Sequence, residues 1–178
     1  MVSPIYIVAV ALGAGFLIPL LAQRGGGSVA AAALFYLALA AIIVIPASWV
    51  ESLAAGTTGV EVFTAGTRPP LSINLRMGLA DAIVLTLVNL VGLLSALSMS
   101  RVLHRRGAAG YVLVLMILLG ANGLVLTRDL FNAFVFLEIL SIGTYGLIAL
   151  DDTPRQYAAG FKYLIAGGIS SVLFLLGT

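Results

Sequence analysis

The chain has 178 residues, 61% of them hydrophobic and only 9% charged, with a formal net charge of +2. A soluble domain of this size cannot hide that much apolar surface, whereas a membrane protein has no need to. The absence of cysteine excludes disulfides, thiolate metal sites, iron–sulfur ligation and thiol chemistry on this chain, and its scattered arginines argue for orientation bias rather than nucleic-acid binding.

A bilayer core about 30 Å thick takes roughly 20 apolar residues per helix. Six segments meet that requirement, which predicts an all-α polytopic membrane protein with a single membrane domain. The first covers residues 4–22 and is broken by Gln23, Arg24 and three glycines. It lacks a basic stretch ahead of the apolar run, so it reads as a retained helix rather than a signal peptide. The second covers 28–50, with Trp49 fitting an interfacial anchor. The connection 51–78 contains GTTG and TRPPLSIN, whose prolines and glycines predict turns rather than a buried helix. The third segment covers 79–100, and Asp81 in its first turn is favoured by the helix dipole. In the loop RVLHRRGAAG, His104 beside Arg105 and Arg106 reads as a surface residue rather than a proton shuttle. The fourth segment covers 111–127 and the fifth 130–150. Asp151 and Asp152 read as turn and capping residues ahead of Pro154, and the sixth segment covers 156–178. No repeat of 20–50 residues and no low-complexity linker is present.

Loops after odd segments carry Arg24, then Arg101, Arg105 and Arg106, then Arg155. Loops after even segments carry Arg68, Arg76 and Arg128 alongside Glu51, Glu61 and Asp129. By the positive-inside rule this places both termini outside the cytoplasmic membrane and the odd-to-even turns in the cytoplasm.

One residue stands out chemically. Glu138 lies eight residues past Leu130 and twelve before Leu150, near mid-membrane. An ionised carboxylate there costs about 3 kcal/mol or more, so it faces protein or water, pairs with a cation, or is protonated. Ser141 (i+3) and Tyr145 (i+7) share its face, with Phe134 one turn before. One stripe of this helix therefore carries a carboxylate and two hydroxyls. It reads as a proton- or cation-handling line, the alternative being a permanently protonated packing contact.

Lys162 is the only lysine. If the last two segments pack antiparallel, it differs in depth from Glu138 by roughly 8 Å. That is too far for a direct salt bridge but short enough for waters to couple the two titrations. Snorkelling to the headgroups explains the lysine equally well. Gly167–Gly168 and Ser170–Ser171 favour a tightly packed, partly polar helix. Ser170 and Asn122 complete the expected supporting polar line, although Asn122 and Asn89 are more often interhelical hydrogen-bond formers than part of a water path. No nucleotide fingerprint, zinc-protease motif or nucleophile elbow occurs, and no catalytic residue, metal site or cofactor is expected on this chain.

DLFNAFVFLEILSIGTYGLIAL followed by YAAGFKYLIAGGISSVLFLLG resembles the antiporter-like subunits of the Mrp antiporter, complex I and membrane-bound hydrogenase superfamily. The family pattern is F-x-x-x-E with a following Tyr, a short turn, then A-x-x-K-Y and a Ser-rich helix. Phe134, Glu138, Tyr145, Lys162, Tyr163, Ser170 and Ser171 stand at those positions. The match is specific over residues 120–178 and looser before, where Pro69–Pro70 in the long loop also look like the family. Gly78 departs from the pattern, standing where the family often has an aspartate. The resemblance implies that Glu138 pairs with a lysine of a neighbouring helix and controls proton movement, while Lys162 lies near the entry path. It also implies about fourteen helices in two inverted repeats, so six helices correspond to the N-terminal portion. The expected function is proton or sodium translocation within a multisubunit membrane complex, with a buried Glu and Lys controlling charge. The alternative is a structural or assembly subunit with no transport of its own. Expected partners are other membrane subunits, including a chain supplying the missing helices. Peripheral redox subunits carrying iron–sulfur or other centres are a further expectation, and nucleic acid is not one.

Overall fold

The computed structural model describes residues 2–23, 27–63, 74–151 and 153–177, without the side chains of residues 27, 28 and 151. Arg24, Arg68, Pro69, Pro70 and Asp152, which figured in the sequence reading, lie outside the described residues. In chain order the elements are α1 (Ile5–Ala22), α2 (Gly27–Ala54), β1 (Val60–Phe63), β2 (Asn74–Met77), α3 (Leu79–Ser98), α4 (Ser100–Arg106), α5 (Ala108–Leu126), α6 (Leu130–Ile148), a short 3-10 turn (Ala149–Asp151) and α7 (Pro154–Leu176). All but α4 among the α-helices are long and apolar enough to cross a membrane, giving six candidate spans.

Helix α5 is the hub and touches α1, α2, α3, α4 and α6, whereas α7 packs on α6 and the turn before it. Phe35, Leu39 and Ile42 of α2, Leu85 of α3 and Leu115 and Leu126 of α5 are fully buried around it. Lipid supplies no hydrophobic drive between helices, so association depends on close backbone approach at small residues. The α5–α6 seam shows this. Gly120 and Gly123 of α5 face Leu140 and Phe136 of α6, and Gly143 and Gly146 of α6 face Ile117 and Leu113 of α5. A side chain at Gly123 would occupy the volume of the Phe136 ring. Each helix thus sets a glycine pair three residues apart against the other's large side chains.

The connection after α2 is more ordered than turn chemistry alone suggests. Its flanks form an antiparallel hairpin with Val60 opposite Met77 and Glu61 opposite Arg76. Period-two alternation explains it: Leu75 and Met77 are buried while Glu61 and Arg76 face out. The exposed Arg76–Glu61 pair at 3.9 Å contributes little. The hairpin leans on the α5–α6 connection, where Leu75 bridges to Thr127 and the Arg128 amide donates to the Asn74 carbonyl (3.0 Å).

Several boundaries differ from the sequence reading. Residues 100–106, expected as helix end and loop, form α4, whose Leu103 is fully buried beneath Gly110. Helix α7 begins at Pro154, and its N-cap is Thr153, whose hydroxyl accepts from the Gln156 amide (3.3 Å). Proline in a first turn gives up no hydrogen bond. Trp49 is not an interfacial anchor exposed to lipid: it is buried, and its indole N–H donates to the Val2 carbonyl (2.8 Å). It pins the chain's start against the end of α2.

Candidate functional site

Asp129 opens the helix that carries Glu138. Its carboxylate accepts from the Asn132 amide (2.7 Å), an N-cap that satisfies one of the orphan donors of the first turn. Asn132 in turn donates to Thr127 (3.0 Å), and both side chains are buried. The start of α6 is thereby fixed to the end of α5, and the glycine seam fixes its rotation.

That rotation decides where Glu138 goes. Advancing about 100° per residue, Phe136, Leu140 and Gly143 form the side that meets α5. Glu138 lies about 140° around the helix from Gly143, and Phe134, Ser141 and Tyr145 fall about opposite the seam. The polar stripe therefore looks away from the five-helix core toward the α7 side. Glu138, Ser141 and Tyr145 are all half-buried. The Tyr145 ring reaches over to α7, where its hydroxyl lies against the backbone at Gly167. Any larger residue at 167 would displace it. Gly160 packs against Ala149 one helical level below, so Gly160, Gly167 and the buried Ser171 form the α7 stripe that meets α6.

Lys162 is two residues past Gly160, about 200° around α7. It is exposed and points away from α6. No direct contact joins Lys162 to Glu138, as the depth difference predicted: neither side chain has a hydrogen-bond or ion-pair partner among the described residues. The expected burial of the two charges is not seen, since no charged side chain among the described residues is buried. Sequence spacing set their depths but could not set their directions. Ser170 is exposed and its hydroxyl returns to the Ala166 carbonyl (2.9 Å), while Ser171, beside it, is the serine that faces inward and donates to the Gly167 carbonyl (3.0 Å).

Asn122 stands apart from the Glu138 stripe. It and Asn89 of α3 exchange two amide hydrogen bonds, 2.7 and 2.8 Å long, in the fully buried core. Their spare donors reach the Ile42 carbonyl (3.1 Å) and the Leu118 carbonyl (2.6 Å). The pair joins α2, α3 and α5 with every donor used, as interhelical hydrogen bonding predicts.

The partner of Asp81 was not evident from spacing. Its carboxylate accepts from the Gly78 amide (2.9 Å) and pairs with Arg128 at 2.6 Å. Arg128 also donates to the Val125 and Thr127 carbonyls (2.9 and 3.0 Å). The start of α3, the end of α5 and the hairpin are thus locked together at one end of the bundle, 47 residues apart in sequence.

Residues 127–178, which contain α6, α7 and the Glu138 stripe, match the family "NADH:quinone oxidoreductase/Mrp antiporter, TM". The chain is 33% identical over 124 residues to a D-type Na+/H+ antiporter subunit of Bacillus subtilis, a match covering 68% of this chain and 25% of that protein. It is 34% identical over 172 residues to an N-type NADH-quinone oxidoreductase subunit of Desulforudis audaxviator, covering 94% of this chain and 33% of the relative. Its fold superposes on a chain of the membrane-bound sulfane sulfur reductase, an archaeal respiratory membrane complex, with a TM-score of 0.87 and 29% identity, covering 98% of this chain and 36% of that one. The chain thus spans from a quarter to just over a third of the length of these relatives, and its architecture is that of an antiporter-like membrane subunit.

Proposed function

We propose that this chain is part of an antiporter-like subunit of a multisubunit membrane complex and takes part in proton or sodium translocation. The observation that carries the reading is the placement of Glu138. It is the carboxylate farthest from a helix end, it sits within the family-matched residues, and it is presented with Ser141 and Tyr145 on the side of α6 turned away from the α5 seam. A mid-membrane charge on that side needs a partner from outside these helices. A lysine on a further helix, in the same polypeptide or a neighbouring subunit, meets the need. Glu138 then holds or releases a charge as that lysine changes state. Lys162, directed away from α6, serves whatever packs on the far side of α7, and Ser141 and Tyr145 supply hydroxyls beside the path.

The same reading assigns the partners. Other membrane subunits cover the open faces of α6 and α7, and peripheral subunits with iron–sulfur or other redox centres drive the ion movement where the complex is respiratory. The membrane is the cytoplasmic one, with both termini outside by the arginine bias.

The test is Glu138→Gln in the complete complex, purified and reconstituted in liposomes with a pH-sensitive dye inside. Ion-coupled pH change should fall at least about a hundredfold, as expected when a proton-transfer group is removed, while the complex assembles normally. Wild-type transport in the assembled variant sinks the reading and leaves a structural, assembly-supporting subunit in its place.

A further inference from the structure

Helix α2 runs for 28 residues and carries Pro46 inside it, with about two helical turns still to follow. A proline there has no amide proton for the carbonyl four residues back, and its ring crowds that carbonyl. The carbonyl concerned belongs to Ile42, which is fully buried. Within a bilayer the missing donor has to come from a neighbouring helix. Asn89 of α3 supplies it: its side-chain amide donates to the Ile42 carbonyl at 3.1 Å, while the amide pair with Asn122 of α5 holds the rest of the Asn89 side chain at 2.7 and 2.8 Å.

The two parts of α2 are thereby tied to different neighbours. Before the proline, the polar tie runs to α3 and α5 through the asparagine pair. After it, the Trp49 indole N–H donates to the Val2 carbonyl (2.8 Å) and ties the helix to the chain start. The Ser48 hydroxyl turns back onto the Ile45 carbonyl of α2 itself (2.7 Å). The far end of this part stops at Gly56, whose φ of 97° is open to glycine and strained for other residues. There the Gly56 and Thr57 amides close the turn on the Leu53 and Ser52 carbonyls (both 3.2 Å). Residues 47–54 are thus a stiff piece of helix set between a proline and a positive-φ glycine, backbone features at which a rigid element bends. We infer that α2 is hinged at Pro46 and that Asn89 is the latch of the hinge. While its amide holds the Ile42 carbonyl, the helix stays continuous. Release lets residues 47–54 open together with the chain start and leaves the α3–α5 core in place. The inference stands on α2, α3 and α5 and is independent of any role for Glu138.

The experiment is hydrogen–deuterium exchange, read by mass spectrometry, on the complete complex in nanodiscs, following the amides of residues 47–54. Exchange through local opening reports the opening equilibrium. Asn89→Ala should raise exchange in this segment about threefold, the average worth of one interhelical hydrogen bond in a membrane, and should change the first half of α2 and α5 by less. Pro46→Ala returns an amide proton to the Ile42 carbonyl, so it should slow exchange in the segment at least about threefold, and in the double variant Asn89→Ala should no longer raise it. Alanine is the better helix former, so Pro46→Ala carries the test if the asparagine variant does not assemble. Exchange in residues 47–54 that is unchanged, or moves the opposite way, in either assembled variant overturns the inference. So does an Asn89→Ala effect spread evenly over α2, α3 and α5, which would make the asparagine a packing residue only, and so does an effect that persists undiminished beside Pro46→Ala.

Discussion

Asn89 and Asn122, 33 residues apart in sequence, form a two-way amide pair at the centre of the bundle, and each is almost wholly inaccessible. Removing either leaves the other buried in an apolar core with donors and an acceptor unmet, which is costlier than the net worth of the bond itself. Asn89→Ala and Asn122→Ala should each destabilise the protein by about 1 kcal/mol, the double variant by less than their sum. Thermal unfolding of all four proteins in one detergent completes the cycle. Strict additivity would mean that the amides act separately.

At the hairpin end, Asp81 does two jobs: it accepts from the Gly78 amide and neutralises Arg128. Arg128→Ala removes the pair and Arg128's bonds to the Val125 and Thr127 carbonyls, which water can take over at this partly exposed turn, whereas Asp81→Ala removes both the pair and the cap and frees the first turn of α3. The aspartate variant should be the less stable of the two by about 1 kcal/mol, the worth of an N-terminal acceptor. High salt should narrow the gap between wild type and Arg128→Ala, because the pair is partly exposed. Equal melting temperatures for the two variants would argue against the capping role.

The α5–α6 glycine seam makes a steric prediction. A methyl group at residue 123 meets the Phe136 ring, so Gly123→Ala should cost about 1–3 kcal/mol by overpacking. Phe136→Leu in the same protein should recover part of the loss. Gly168→Ala is the control, since nothing lies near its would-be side chain, and it should leave stability close to wild type.

The spans were legible because their length and apolarity leave little alternative in lipid, and Glu138 was legible because a carboxylate among leucines and phenylalanines is conspicuous. What sequence could not supply was azimuth. Depth follows from counting residues along a helix, but the direction of Lys162 depends on Gly160 and Gly167 being the side of α7 that meets α6. Trp49 was misplaced for the same reason: it stands at interfacial depth but on the inner face. The hairpin escaped notice because its four-residue strands flank a stretch whose prolines and glycines dominate the local signal. Asn89 with Asn122, and Asp81 with Arg128, are contacts between distant segments that no local periodicity encodes.

Tyr145 joins packing to function. Its hydroxyl and the adjoining ring edge fill the space over Gly167, and Tyr145 shares a face of α6 with Glu138. Tyr145→Phe keeps the ring, so assembly and melting temperature should hold, while transport by the complete complex should fall about fivefold if the hydroxyl donates along the ion path. Gly167→Val should instead disturb α6–α7 packing and lower stability and transport together. Loss of stability in the phenylalanine variant would move the hydroxyl from the transport path to the packing.

The opposed directions of Glu138 and Lys162 give the sharpest test of the site. On depth alone the two charges are close enough to couple through water, but Lys162 sits on the far side of α7 from the polar stripe. Groups separated by a helix and sharing no partner should behave independently, within about 0.3–0.5 kcal/mol. Transport rates of Glu138→Gln, Lys162→Met and the double variant, measured in the same reconstituted complex, form the cycle. Independent effects on the logarithm of the rate are expected, with the glutamate variant the more severe. A coupling larger than about 1 kcal/mol would mean that the assembled complex brings Lys162 into contact with the Glu138 path, through water or through a neighbouring subunit's side chain.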